Sequence, residues 1–88
     1  MNTGWVYILE CSNKTYYIGS TNNLTRRFEE HSKGKSKYTR NVLPVKLVFK
    51  QMYTTLLIAR KAESWIKKQK DRDLVERIIL EGKINRDC

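Results

Sequence analysis

The chain has little of what would tie it to a membrane, the secretory route or a metal cluster. Its only cysteines, Cys11 and Cys88, match neither a zinc spacing nor a disulfide framework, and this usage points to a reducing cytoplasm. No apolar run approaches the roughly 20 residues of a membrane helix; the longest, such as Leu56-Leu57-Ile58-Ala59, fall far short. Met1 to Gly4 contains no basic segment and Glu10 interrupts the apolar stretch behind it, so no secretory leader is expected. Repeats, linkers and low-complexity tracts are missing too. Acidic residues are scarce: 9 Asp and Glu face 18 Lys and Arg, leaving a formal +9 on 88 residues. A composition 40% apolar and 31% charged is that of a globular chain, and its length suits one domain, expected over residues 1–82 with a tail at 83–88.

The excess charge is concentrated. Residues 1–32 balance to zero and residues 71–88 to −1. Residues 33–70 carry eleven cations against Glu63 alone, or +10. A merely soluble surface mixes its signs. Clustering of this kind suits the phosphate backbone of a nucleic acid, where each neutralised phosphate releases counterions, although acidic lipids and proteins attract the same charge.

The hydrophobic pattern predicts β-β-α-β-α-α. Trp5 to Glu10 and Thr15 to Gly19 form a hairpin around the Ser12-Asn13-Lys14 turn. Leu24 to Ser32 follows the capping candidates Thr21, Asn22 and Asn23 as a helix ending at Gly34. Residues 33 to 43 read as a basic loop. The next strand, past Pro44, places Val45, Leu47 and Phe49 on one face and Lys46, Val48 and Lys50 on the other. Thr54 and Thr55 can cap a helix from Leu56 to about Lys70, and Asp73 a shorter one from Leu74 to Glu81, closed by Gly82. The implied architecture is α+β, a three-stranded antiparallel sheet flanked by helices. Trp5 and Trp65 are expected in the core and Cys11 as a strand-end filler.

Several polar side chains fall where apolar ones belong. Leu24, Arg27, Phe28 and His31 share one stripe of the first helix, so Arg27 and His31 lean inward one turn apart. An Arg snorkelling at the rim beside a hydrogen-bonded His explains this without chemistry. Glu63 borders the core line Ala59, Ala62 and Ile66; it can pair with Arg60 or Lys67 along the helix, or hold a divalent cation such as Mg²⁺. Tyr7 and Tyr17 lie on neighbouring strands. A two-residue turn would set them on opposite faces, whereas three or five residues make them diagonal neighbours on one face. The odd-numbered loop is expected.

Trp5-Val6-Tyr7, Tyr17-Ile18-Gly19 ten residues on, then Thr21, Leu24, Arg27, His31 and a later helical Glu63 resemble the GIY-YIG nuclease superfamily. YIG is literal; the first signature stands as WVY, and Ser20 and Thr21 occupy the place where many members carry a lysine. The resemblance implies a three-stranded sheet with helices and metal-dependent hydrolysis of phosphodiester bonds in double-stranded or branched DNA, structure-directed, in repair or recombination. It further implies Tyr7 as general base, Tyr17 as orienter of water or phosphate, and Arg27 as the clamp on phosphate charge. His31 would assist proton transfer and Glu63 would hold one Mg²⁺ or Mn²⁺. Gly19, with Ser20 and Thr21, would let the phosphate approach the strand end. Lys33, Lys35, Lys37, Tyr38, Arg40, Arg60 and Lys67 are the expected nucleic-acid contacts, and Lys35 or Lys67 a substitute for the family lysine. A targeting protein is an expected partner; a small-molecule cofactor and a membrane are not. The same fold is compatible with a nucleic-acid-binding module lacking catalysis, or with a basic accessory protein.

Overall fold

The computed structural model of the chain describes residues 3–37 and 39–84. Three strands form one antiparallel sheet in the order β2-β1-β3, so β1 (Gly4–Glu10) lies at the centre between β2 (Tyr16–Thr21) and β3 (Lys46–Tyr53). Three helices complete the chain: α1 (Leu24–Ser32), α2 (Leu56–Gln69) and α3 (Arg72–Glu81). The expected element order and fold class are those observed.

Because a strand alternates its side chains, β1 serves two different layers. Val6 and Ile8 face the apolar core, where they meet Phe49 of β3, Ala59, Ala62 and Ile66 of α2, and Val75 and Ile78 of α3. Tyr7 and Leu9 point the other way and are just as deeply buried, with His31 of α1 on that side. Gly4 permits α2 to sit close: a Cβ there would lie 2.6 Å from the Leu56 Cα and 2.9 Å from the Thr55 carbonyl oxygen.

Local chemistry sets the boundaries. The hairpin turn closes with the Cys11 N–H donating to the Thr15 carbonyl and the Lys14 N–H to the Cys11 carbonyl, with Lys14 at φ 68°. Its three-residue loop, Ser12 to Lys14, ends in a left-handed residue that matches the strand twist. Asn23 caps α1, accepting from the Arg26 N–H, and Thr55 caps α2 through the Ile58 N–H. Gly82 closes α3 at φ 76°, a conformation that favours glycine.

Several expectations need correction. Strand β2 runs from Tyr16 to Thr21 rather than from Thr15 to Gly19. Asp71, not Asp73, caps α3, its carboxylate accepting from the Asp73 and Leu74 N–H groups. A bulge in the β1–β3 pairing sets Ile8 opposite Phe49 but Leu9 opposite Leu47, so Leu47 and Phe49 occupy opposite faces and the simple alternation fails. Trp5 is only half-buried, while Trp65 packs at the core margin. Ile84, expected in the tail, is buried in the core, and its N–H donates to the Gln51 side chain at 2.9 Å. Cys11 is buried and unpaired. Tyr38 and Cys88 lie outside the described residues.

Candidate active site

The pairing of β1 with β2 places Tyr7 opposite Gly19 and Leu9 opposite Tyr17. Tyr7 and Tyr17 are therefore diagonal neighbours on one face, with ring centroids 6.2 Å apart. Gly19 makes this possible, because a Cβ at that position would collide with the Tyr7 phenol, lying 2.6 Å from its Cζ. The space that the missing side chain leaves is thus filled by Tyr7, where the family resemblance implied room for an approaching phosphate.

Helix α1 brings two side chains to the phenols. His31 is fully buried; its Nε2 lies 3.2 Å from the Tyr7 hydroxyl and its Nδ1 2.8 Å from the Thr39 hydroxyl. Its ring stands 4.9 Å from that of Tyr17, centroid to centroid. Burial, reinforced by the neighbouring Arg27 charge, pushes the imidazole down to a pKa of about 4, so it is neutral at physiological pH. Burial also pushes the Tyr7 phenol up to about 12, although Arg27 pulls the other way. Burial likewise works against the Arg27 charge, but its hydrogen bond to Glu30 and the nearby Tyr7 and Tyr17 oxygens outweigh this and hold the guanidinium firmly protonated. Arg27 pairs with Glu30 at 2.9 Å, and that contact lowers the Glu30 pKa.

Glu63 reaches the other side of the group from α2. One carboxylate oxygen accepts from the Ser20 hydroxyl at 2.5 Å, and the other meets the Lys67 ammonium at 2.6 Å. The Lys67 ammonium also lies 5.9 Å from the centre of the Tyr17 ring, so the cation and its carboxylate are next to the phenols. Electrostatically, Glu63 raises the Tyr7 pKa, as a nearby anion must. Ser20 therefore binds Glu63, whereas the Thr21 hydroxyl accepts from the Asn23 N–H and serves the turn into α1. Lys67 stands beside Glu63 and Tyr17, whereas Lys35 is an exposed residue of the loop after α1. Lys33, Lys37, Arg40 and Arg60 are exposed as well.

Residues 3–77 match the model of the GIY-YIG catalytic domain. The chain belongs to the GIY-YIG nuclease family. Among its relatives, a UPF0213 protein of Syntrophus aciditrophicus is 49% identical over 70 residues, covering 77% of this chain and 80% of that one. A UPF0213 protein of Streptococcus pneumoniae is 43% identical over 67 residues, covering 75% and 68%. The solution NMR structure of UPF0213 protein BH0048 from Bacillus halodurans superposes with a TM-score of 0.59 at 33% identity, covering 91% of this chain and 86% of that one. This chain is thus similar to small GIY-YIG proteins over most of its length.

GIY-YIG nucleases generally use a divalent metal. No group of three or more His, Cys, Asp or Glu gathers among the described residues. The donor set is one carboxylate with a hydroxyl beside it, and a cation already favours the spot, since the Lys67 ammonium occupies it. This fits a hydrated Mg²⁺, which takes one or two carboxylates and fills its remaining positions with water and substrate phosphate. Three residues had no individual signal in the sequence: Thr39, Ser20 as a partner of Glu63, and Glu30 as a partner of Arg27. Only the Arg27–Glu30 spacing, i to i+3 on a helix, was available to reveal one of them.

Proposed function

We propose that this GIY-YIG protein is a metal-dependent endonuclease that hydrolyses phosphodiester bonds in DNA, directed by nicks, flaps or branches rather than by base sequence, and serving repair or recombination. The observation that supports this most is the convergence of two phenols, a neutral imidazole and a guanidinium next to the sole carboxylate of the basic segment. Tyr7 acts as the base in its ionised form: after losing its own proton to solvent, the phenolate oxygen takes a proton from the attacking water as the new P–O bond forms. The P–O bond to the leaving sugar breaks, the sugar oxygen departing with the electron pair and taking a proton from solvent. Tyr17 orients the water or the phosphate. Arg27 faces the charge that develops on the phosphoryl oxygens, where a preorganised cation is worth most. Glu63 would hold the ion, which when bound supplies Lewis-acid polarisation of the phosphate. Lys33, Lys35, Lys37, Arg40, Arg60 and Lys67 bind the flanking phosphates. A single 10.5 kDa domain leaves little surface for reading bases in the major groove, which favours recognition of DNA shape.

A binding module without catalysis would have no use for a carboxylate held against a hydroxyl beside two tyrosines. Glu63→Gln distinguishes the two readings. It should abolish Mg²⁺-dependent cleavage while DNA binding, measured by anisotropy, stays equal or tightens. Should the purified wild-type protein fail to cut supercoiled, nicked, flap and branched DNA with Mg²⁺ or Mn²⁺ at low salt, the endonuclease reading is wrong.

A further inference from the structure

Helix α2 carries a second surface around the corner from Glu63. We propose that this surface seats an unpaired strand of the DNA substrate, such as the free arm of a flap. Trp65 stacks on a base of that strand, and Arg60, Lys61 and Lys68 meet its phosphates. The proposal rests on the reading of the protein as a nuclease and names the part of the substrate that its preference follows.

Arg60, Lys61, Ser64, Trp65 and Lys68 line a groove of about 330 Å³ on α2. The buried line of Ala59, Ala62 and Ile66 takes up one side of the helix. At 100° per residue, Glu63 and Lys67 border that line on the side facing Ser20, and Trp65 borders it on the other. Arg60, Ser64, Lys68 and Lys61 fill the arc between. Arg60, Ser64 and Lys68 follow one another by about one turn, or roughly 6 Å along the axis. The groove therefore adjoins the candidate active site around the helix.

A helix face that only needed solvating would mix its signs. Helix α3 does so: Arg72 pairs with Glu76 at 3.1 Å, and Arg77 and Glu81 follow. The groove on α2 has three cations, and none of the described residues that line it is acidic. Glu63, the one carboxylate of this helix, is engaged by Ser20 and Lys67. Such a concentration of cations attracts a polyanion. Trp65 narrows the choice. It is half-buried, packing against the core with part of its indole and lining the groove with the rest. It also borders a hollow shared with Leu74, Arg77, Ile78 and Glu81, but the carboxylate there disfavours a phosphate. A cationic groove with an aromatic wall suits a single strand, whose bases are open to stacking. A duplex keeps its bases paired and would leave the indole unused.

Binding can be measured in EDTA, with neither metal nor cleavage. Trp5→Phe leaves Trp65 as the only tryptophan, and oligothymidylate of about 12 nucleotides should quench its emission. The double substitution Lys61→Gln and Lys68→Gln, at two exposed positions, should weaken binding of the same oligonucleotide roughly 10-fold by anisotropy. It should also flatten the salt dependence by about 1.4, or about 0.7 for each of two phosphates, while a blunt duplex of equal length loses much less. Trp65→Leu should weaken the single strand by about 10-fold, and Trp65→Phe, which keeps a ring in place, should retain most of the affinity. Unchanged Trp65 emission overturns the proposal, and so does an equal loss for duplex and single strand in the double variant. Tighter binding of vesicles with acidic headgroups than of the oligonucleotide overturns it as well. A wild-type protein that cuts nothing sinks the nuclease reading while the groove is still judged by quenching; one that cuts without quenching sinks the groove alone.

Discussion

The two faces of β1 are equally dry and do different work. Val6 and Ile8 disappear into an apolar layer beneath α2 and α3. Tyr7, one position away, is buried among polar groups: His31, Thr39 and the Arg27 guanidinium. Apolar contacts are non-directional, and a core of them tolerates exchange among side chains of similar volume. The opposite side is a chain of hydrogen bonds in which each member limits the next, and such a network fails as a unit. Burial on the first face is therefore a matter of stability, and on the second a matter of protonation state.

Substitutions on the two faces should separate these properties. The largest expected effect is that of Tyr7→Phe, which should lower single-turnover cleavage by about 10²–10⁴-fold and shift the urea midpoint little. Ile8→Ala, the neighbouring position on the other face, should cost about 2–5 kcal/mol in urea unfolding and leave cleavage per folded molecule unchanged. If either variant lost both properties in equal measure, the division between faces would be false. The smallest effect concerns pH. His31 titrates at about 4 in the folded chain and near the ordinary 6.5 when unfolded. Between those values the unfolded state binds the additional proton. The stability is thus complete above pH 6.5 and declines as the pH falls toward 4, by up to about 3 kcal/mol. Unfolding curves over that interval check the slope, and His31→Asn should flatten it.

The elements were legible where local chemistry decides them. Helix α1 begins and ends where its caps and apolar stripe place it, and an odd-length turn puts Tyr7 and Tyr17 on one face. Asp71 and Asp73 both offer a capping carboxylate two residues apart, and nothing local separates them. The bulge that turns Leu47 away from Phe49 is likewise invisible in a strand whose letters alternate so well. At the site, periodicity brought Arg27 and His31 inward and set Glu63 at the edge of the core line. Thr39 stayed hidden because it reaches His31 through the turn of a loop, and a loop has no period to read. Ser20 stayed hidden because its bond to Glu63 spans 43 positions of sequence.

Gly4 carries no functional group, and yet it sets how closely α2 approaches the sheet. Helix α2 rests on the bare backbone at this end of β1, and Glu63 is carried on the same rigid rod two turns further along. Any side chain there would act as a shim beneath the first turn, lifting and tilting the rod. The carboxylate would then swing relative to the phenols while every reactive group remained in the chain. An alanine at this one position would leave the chemical inventory intact and change the gap across which it must operate.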